Sequence, residues 1–126
     1  ENIIKKCLDK NIPVFAEAFT PTEVINAWEN GASMVKLFPA GMFGPKYIKE
    51  LKGPFNNVKI MAVGGVRPEN IEEHFLCGAS GIAFGGSVFK NEWIRSRDFD
   101  SIKNLIKKYV DITRKVGCKD RYTNTI

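Results

Sequence analysis

The sequence predicts an α/β fold in which four parallel strands alternate with helices. Short apolar runs at residues 12–18, 33–38, 58–63 and 81–84 have the length and composition of buried strands. Each run is followed by a segment whose apolar side chains recur at helical spacing, which is typical of right-handed βα units on a parallel sheet. The length of 126 residues fits one domain.

Turn and capping residues set the limits of the predicted helices. The tetrad Thr20-Pro21-Thr22-Glu23 combines a capping threonine, a proline at the first helical position and the glutamate of a capping box. Gly31 is well placed to end that helix. Further helices are predicted at residues 2–10, 45–52, 68–77 and 99–110.

Two glycine pairs favour a closed barrel over a flat, doubly wound sheet. The last two predicted strands run into Gly64-Gly65 and Gly85-Gly86-Ser87. In the (β/α)8 barrel, a phosphate site is built from the loops after the final two strands. Glycine lets backbone N–H groups approach an anion closely, and the Ser87 hydroxyl adds a donor. Tight turns also require glycine, so the phosphate site is a hypothesis beside that structural explanation.

Lys36 interrupts the second apolar run and is the candidate catalytic residue. In a parallel sheet covered on both faces, an unpaired ammonium is so costly to bury that the amine tends to lose its proton. A neutral amine at neutral pH is a nucleophile suited to Schiff-base chemistry. The alternative is a lysine near the strand end whose methylenes carry its charge out to water.

The charge balance predicts neither a nucleic-acid nor a membrane partner. The net charge is +5, but the basic residues recur at helical spacing, as they do on solvated helix faces. These residues are Lys46, Lys49, Lys52, Lys103, Lys107 and Lys108. The sequence has no aromatic-interleaved basic patch, no nucleic-acid motif and no apolar run long enough to cross a bilayer. Its positive charge favours solubility and the attraction of anionic small molecules.

The cysteines and the single histidine suggest no further chemistry. Cys7, Cys77 and Cys118 are too widely spaced for a disulfide framework or a metal-binding motif. Reduced thiols and the lack of a signal peptide predict a cytoplasmic protein without a metal or other cofactor. His74 is a base by residue type, but its acidic neighbour Glu73 predicts an exposed helix position.

Five segments together resemble those of one enzyme family. They are Thr20-Pro21-Thr22-Glu23, Lys36-Leu37-Phe38-Pro39-Ala40, Gly53-Pro54-Phe55, Gly64-Gly65-Val66 and Gly85-Gly86-Ser87. Their order and spacing, to about residue 110, are similar to those of the 2-keto-3-deoxy-6-phosphogluconate / 4-hydroxy-2-oxoglutarate (KDPG/KHG) aldolases. The members of that family are class I aldolases on a (β/α)8 barrel.

The resemblance implies a Schiff-base mechanism centred on Lys36. The amine condenses with the ketone of a 2-keto-3-deoxy sugar acid phosphate or of 4-hydroxy-2-oxoglutarate, and cleavage of the C3–C4 bond gives pyruvate and an aldehyde. The iminium supplies the electrophile, so no metal is implied. Phe38 is implied to pack beside the keto acid, and members of the family commonly form homo-oligomers, often trimers. The residues implied to hold the substrate phosphate are Gly64, Gly65, Gly86 and Ser87.

Two departures from the family's pattern concern the substrate. Members usually carry Pro-Gly where this chain has Ala16-Glu17, and Pro-Thr where it has Ala62-Val63. The second change removes a hydroxyl from the floor of the site. The first change places a carboxylate near the end of the strand that precedes the Lys36 strand. We hypothesise that Glu17 binds a cationic substrate group or takes over proton transfer; the alternative is an exposed rim residue.

The resemblance covers only the second half of the family's barrel, strands five to eight. Residues 1–112 are predicted to form this C-terminal half, and residues 113–126 a polar, loose tail. The family's proton-shuttling glutamate, and the arginine and threonine that hold the substrate carboxylate, belong to the other half. We therefore expect a fragment of a longer gene product with little activity alone. A half-barrel that pairs with itself is the alternative.

Two other classes of function fit parts of the sequence. The glycine loops equally suit a phosphate-binding barrel of another class, an isomerase or synthase, in which Lys36 contacts charge without forming a covalent bond. A non-catalytic sugar-phosphate-binding protein would explain the altered strand ends. The motif around Lys36 favours the aldolase.

Overall fold

The computed structural model describes residues 2–123, together with the side chains of residues 2–116. Helix α1 (Ile3–Leu8) precedes four strands, which are β1 (Phe15–Ala18), β2 (Met34–Leu37), β3 (Ile60–Val63) and β4 (Gly81–Ala83). Successive strands are connected by α2 (Pro21–Glu29), α3 (Pro45–Lys52) and α4 (Ile71–Leu76), and a 3₁₀ turn (Ala40–Met42) precedes α3. Helices α5 (Asn91–Arg95) and α6 (Phe99–Thr123) follow the last strand.

The four strands form one parallel sheet in the order of the chain, β1-β2-β3-β4. The prediction of four βα units on a parallel sheet is therefore confirmed. Because each connection returns to the same end of the sheet, the carboxyl ends of all four strands lie together. Strands β1 and β4 are the edges of this sheet.

The helices cover one face of the sheet and leave the other face open. On the covered face, Val35, Leu37 and Ile60 are fully excluded from solvent and form the centre of the apolar core. Residues alternate between the two faces along each strand, so Glu17 and Lys36 lie on the opposite face, where they are partly exposed. A sheet covered on both faces is the condition under which Lys36 would be dry, and the described residues do not form one.

The capping signals predicted for α2 are present in the structure, and the strands are shorter than predicted. Thr20 caps α2 by accepting from the Glu23 amide, and the Glu23 carboxylate accepts from the Thr20 amide at 2.8 Å. The backbone N–H groups of Thr20 and Phe19, aided by the Thr20 hydroxyl, hold the pKa of Glu23 below its ordinary value. The capping box predicted for this segment is confirmed.

Helix α6 extends further than the sequence pattern indicates. The sequence predicts a helix that ends near Val110 and a loose tail over residues 113–126, whereas the structure has helix to Thr123. Residues 124–126 of the predicted tail lie outside the described residues, and the division at residue 112 stays a prediction. Among the described residues, none of the helices combines the length and apolar character needed to cross a membrane.

His74 is buried, which contradicts its predicted surface position. Its side chain is fully excluded from solvent, and neither ring nitrogen has a hydrogen-bond partner within the described residues. The cause is tertiary, because α4 packs between α3 and α6 and turns this residue inward. Burial lowers the pKa of the imidazole, and the Glu73 carboxylate opposes that shift.

We predict that His74 makes the fold sensitive to acid. The unfolded chain binds a proton more readily than the folded one, so stability falls as the pH drops through the pKa of a free histidine, about 6.5. Urea unfolding at about pH 7.5 and about pH 5.5 measures this loss, which should be smaller in His74→Leu. At the higher pH the free energy of unfolding of His74→Leu should exceed that of the wild type by about 1 kcal/mol, because leucine has no buried ring nitrogens that lack a hydrogen-bond partner. Equal pH dependence in both proteins would contradict the prediction.

Candidate functional site

The candidate site lies at the carboxyl ends of the strands, on the open face of the sheet. The parallel register pairs Glu17 in β1 directly with Lys36 in β2. The Lys36 Nζ atom donates to the Glu17 Oε2 atom at 2.6 Å. The two side chains retain 34% and 58% of their accessible surface, for lysine and glutamate respectively, so water and small molecules reach the pair.

The expectation of a dry, unpaired Lys36 is wrong in this structure. The lysine is a third exposed, and a carboxylate neutralises its charge. The reason is that its side of the sheet is uncovered, so the amine meets water and Glu17 instead of apolar side chains. Its amine is therefore open to a small molecule from the uncovered face, with Glu17 as its charged partner.

Phe38 shares this site with Lys36. The lysine Nζ atom lies 5.1 Å from the centroid of the phenyl ring, within the range of a cation–π contact. The ring is 41% exposed and lies against Gly64 at the end of β3, where an added Cβ would come within 3.0 Å of it. Phe38 thus offers an apolar wall between the amine and the first glycine pair.

The first glycine pair is required by the fold itself. Gly64 and Gly65 have φ angles of +83° and +76°, which side-chain-bearing residues rarely adopt. The Gly41 amide donates to the Gly64 carbonyl at 2.9 Å, and a Cβ on Gly65 would approach the Gly41 Cα atom to 2.8 Å. The positive φ angles and the close approach to Gly41 are therefore enough to explain glycine at both positions, whether or not an anion binds there.

The second glycine pair has no such requirement. A Cβ added at Gly85 or Gly86 would meet nothing within 4 Å. Gly86 and Ser87 instead line a cleft of about 480 Å³ that they share with Gly65 and Val66. Within residues 2–123, the amides of Gly65, Val66, Gly86 and Ser87 donate to no acceptor. The cleft therefore offers backbone donors and open space together, which is what an anion site requires.

Tyr109 of α6 connects the two glycine loops. It is 1% exposed, and its hydroxyl donates to the Val66 carbonyl at 2.9 Å while lying 3.2 Å from the Ser87 Oγ atom. Its ring also contacts Phe84, with the centroids 4.7 Å apart. Its place in the predicted helix over residues 99–110 indicates only a packing position. The hydroxyl could have indicated a polar contact, because buried tyrosines usually have a hydrogen-bond partner.

Two cationic residues at the cleft were also missed in the sequence. Arg67 and Lys90 both line it, and the Lys90 Nζ atom lies 4.2 Å from the centroid of the Trp93 ring. Each follows a glycine pair by a few residues, and that proximity could have identified them as charges near a phosphate. In the described part of the chain, no cluster of three or more His, Cys, Asp or Glu side chains is arranged to hold a metal ion.

Comparison with known proteins identifies the family. The family profile for KDPG and KHG aldolases matches residues 1–105. The chain belongs to this aldolase family. Among curated proteins, the 2-dehydro-3-deoxy-phosphogluconate aldolase of Haemophilus influenzae is 37% identical over 114 residues, which are 89% of this chain and 53% of that protein.

Two solved structures share the fold of this chain. A structure described as native KDPGal has a TM-score of 0.74 and 30% identity, and covers 89% of this chain and 55% of that one. A cube-shaped cage designed by fusing symmetric oligomeric domains has a TM-score of 0.77 and 28% identity, over 94% of this chain and 44% of that one. The chain spans about half the length of the curated relatives it matches.

The two departures from the aldolase pattern have distinct positions. Glu17 and Val63 lie on the open face, and their neighbours Ala16 and Ala62 face the helices. The missing threonine hydroxyl would thus have lain on the same face as Lys36, and the added carboxylate lies there too. The alanines are packing changes on the covered face.

We predict that the Tyr109 hydroxyl holds both glycine loops in place. Tyr109→Phe should lower the free energy of unfolding by about 1–2 kcal/mol, because the Val66 carbonyl loses its donor. Amide hydrogen exchange should accelerate at Gly41, whose amide donates to the Gly64 carbonyl of the first loop. It should also accelerate at Val88 and Phe89 in the second loop, whose amides donate to the Gly85 carbonyl. Tyr47→Phe is the matched control, since its hydroxyl donates to the Phe19 carbonyl, away from the cleft. Unchanged amide exchange at both loops in Tyr109→Phe would contradict this role of the hydroxyl.

Proposed function

We propose that this chain carries the Schiff-base lysine and the phosphate-binding loops of a class I aldolase. The substrate class is a 2-keto-3-deoxy sugar acid phosphate, or 4-hydroxy-2-oxoglutarate, which is cleaved to pyruvate and an aldehyde. The observation that carries the proposal is the position of Lys36 in a chain of this family. Its amine lies near the carboxyl end of a central strand, on the open face and in reach of small molecules.

Lys36 would attack the ketone carbon of the keto acid and lose water to give an iminium. The positive nitrogen draws electrons from the C3–C4 bond, so this bond breaks and leaves the enamine of pyruvate. Protonation of the enamine at C3 and hydrolysis then return the free amine. The exposure of Lys36 suits this sequence of steps, because the substrate must reach the nitrogen and the product must leave it.

The shared cleft would hold the substrate phosphate. Gly64 and Gly65 shape its first loop, and Gly86 and Ser87 supply donors from its second. The β4 loop lies two strands from β2, a separation of roughly 10 Å across a sheet. An extended six-carbon keto acid with a terminal phosphate covers a similar distance between its carbonyl and phosphorus. Arg67 and Lys90 line this cleft with one acidic residue, Glu69, so positive side chains outnumber negative ones by one, which would favour a phosphorylated substrate.

Phe38 and Glu17 complete the keto-acid end of the proposed site. The Phe38 ring would pack on the flat iminium, since it already lies 5.1 Å from the nitrogen that forms it. Glu17 borders the same space through its hydrogen bond to Lys36. Both residues face the volume that the first carbons of the keto acid would occupy.

The remaining parts of the proposal concern the whole enzyme. The half of the barrel that this chain does not span would supply the groups for the substrate carboxylate, so the chain alone is expected to be a poor catalyst. A homo-oligomer is supported by the likeness to the designed cage of symmetric oligomeric domains. The trimer stays an expectation from the resemblance to the family. Cytoplasmic location stays a prediction, as does the lack of a cofactor.

We predict that pyruvate forms a reducible imine with Lys36. Incubation with pyruvate and borohydride should give a covalent adduct, which mass spectrometry of peptides would locate at Lys36. Lys36→Arg keeps the positive charge beside Glu17 but cannot form an imine, so it should give no adduct. Phosphate binding without any adduct in the wild type would favour an isomerase, a synthase or a non-catalytic binding protein instead.

We predict that Gly86→Ala weakens phosphate binding without weakening the fold. Gly86 lines the cleft, and a methyl added there meets no protein atom within 4 Å, so stability should be unchanged. Loss of close approach to the backbone donors should cost about tenfold in affinity for inorganic phosphate, measured by calorimetric titration.

Gly85→Ala is the matched control for this experiment. Gly85 has the same open surroundings but does not line the cleft. Its affinity for phosphate should stay close to that of the wild type. Equal affinities in Gly86→Ala and Gly85→Ala would contradict a phosphate site at this loop.

A further inference from the structure

We propose that Glu17 is the proton-transfer residue for the iminium formed at Lys36. This inference rests on the proposed function and names a further catalytic residue within it. The resemblance to the family implies a glycine at this position, so Glu17 is one of the two departures described above. The contact with the nucleophile, and not the residue type alone, carries the proposal.

The backbone places Glu17 where a proton shuttle must be. The two residues are directly paired across neighbouring parallel strands, and both side chains are on the open face. Their 2.6 Å contact is within the distance that direct proton transfer requires. Among the described residues, Glu17 is the only acidic side chain in contact with the Lys36 amine.

The charge of the substrate favours proton transfer over the other role considered for Glu17. If the role of Glu17 were to bind a cationic substrate group, its negative charge would repel a 2-keto acid, which is itself an anion. Paired with Lys36, or protonated after taking its proton, Glu17 presents no net negative charge to the substrate. The keto acids proposed here contain no cationic group for it to bind.

Glu17 can accept and return the proton that imine formation requires. Glu17 takes a proton from the Lys36 ammonium, and the free amine adds to the ketone carbon. A second proton moves from nitrogen to the new alkoxide, which becomes a hydroxyl. The protonated Glu17 then returns its proton to that hydroxyl, which leaves as water and gives the iminium and the Glu17 carboxylate.

The same carboxylate would then act on carbon. In the pyruvate iminium, C3 is two bonds from the nitrogen, so a group that contacts the nitrogen is also close to C3. Removal of a C3 proton by Glu17 leaves an enamine and a protonated carboxyl. In D2O the carboxyl proton exchanges with solvent, and the reverse step delivers deuterium to C3.

The test separates imine formation from proton transfer. Pyruvate is incubated with the full chain in D2O, and loss of the methyl signal is followed by proton NMR. Borohydride trapping measures the imine in parallel. Glu17→Gln should reduce exchange per trapped imine by about two to four orders of magnitude. Because both side chains are partly exposed, the fold should be little affected, which circular dichroism would check.

Two further variants sharpen the result. Glu17→Asp keeps a carboxylate at a greater distance from the nitrogen, and should restore part of the exchange. Glu50→Gln removes a carboxylate from the exposed surface of α3 and should exchange like the wild type. A purely structural role for Glu17 would change the amount of imine and leave exchange per imine constant.

The outcomes distinguish this inference from the proposed function. A wild-type chain that forms an imine, with equal exchange per imine in Glu17→Gln, would overturn the role of Glu17 and leave the Schiff-base lysine standing. A wild-type chain that forms no imine would overturn the proposed function and this inference with it. Exchange lost in Glu17→Gln and partly restored in Glu17→Asp would support it.

Discussion

The parallel register between the first two strands is the constraint on which the candidate site depends. It sets Glu17 beside Lys36 on one face, and a slip of either strand by one residue would put the two side chains on opposite faces of the sheet. The fully buried residues Val35 and Leu37 alternate with Lys36 along β2 and so fix which face Lys36 occupies. Exposing these two apolar side chains would cost far more free energy than the exposed ion pair contributes. The apolar core therefore decides where the charged pair lies.

The two glycine loops show how one sequence feature can have different physical causes. Gly64 and Gly65 are fixed by positive φ angles and by close packing against Gly41. Gly86 has no such neighbour, so its lack of a side chain leaves room in the cleft instead. The buried Tyr109 joins both loops to the last helix, and it is this contact that makes them parts of one cleft.

The open face of the sheet explains the main difference between expectation and structure. The chain spans about half the length of its curated relatives, and its described residues cover only one side of the strands. Lys36 is consequently ion-paired and in reach of water, although a sheet covered on both faces would have excluded water from it. A residue on an open face is accessible to substrate, but its reactivity depends on its partner.

The sequence by itself determined the four βα units, the capping box at Thr20 and the family, because these follow from periodicity and from residues that are close along the chain. It also singled out Lys36 and Glu17, but not their contact. Only the tertiary structure decided that contact, the burial of His74 and the position of the Tyr109 hydroxyl. Each of these depends on which elements pack together, and residues as distant in the chain as Val66 and Tyr109 carry no local signal of their meeting.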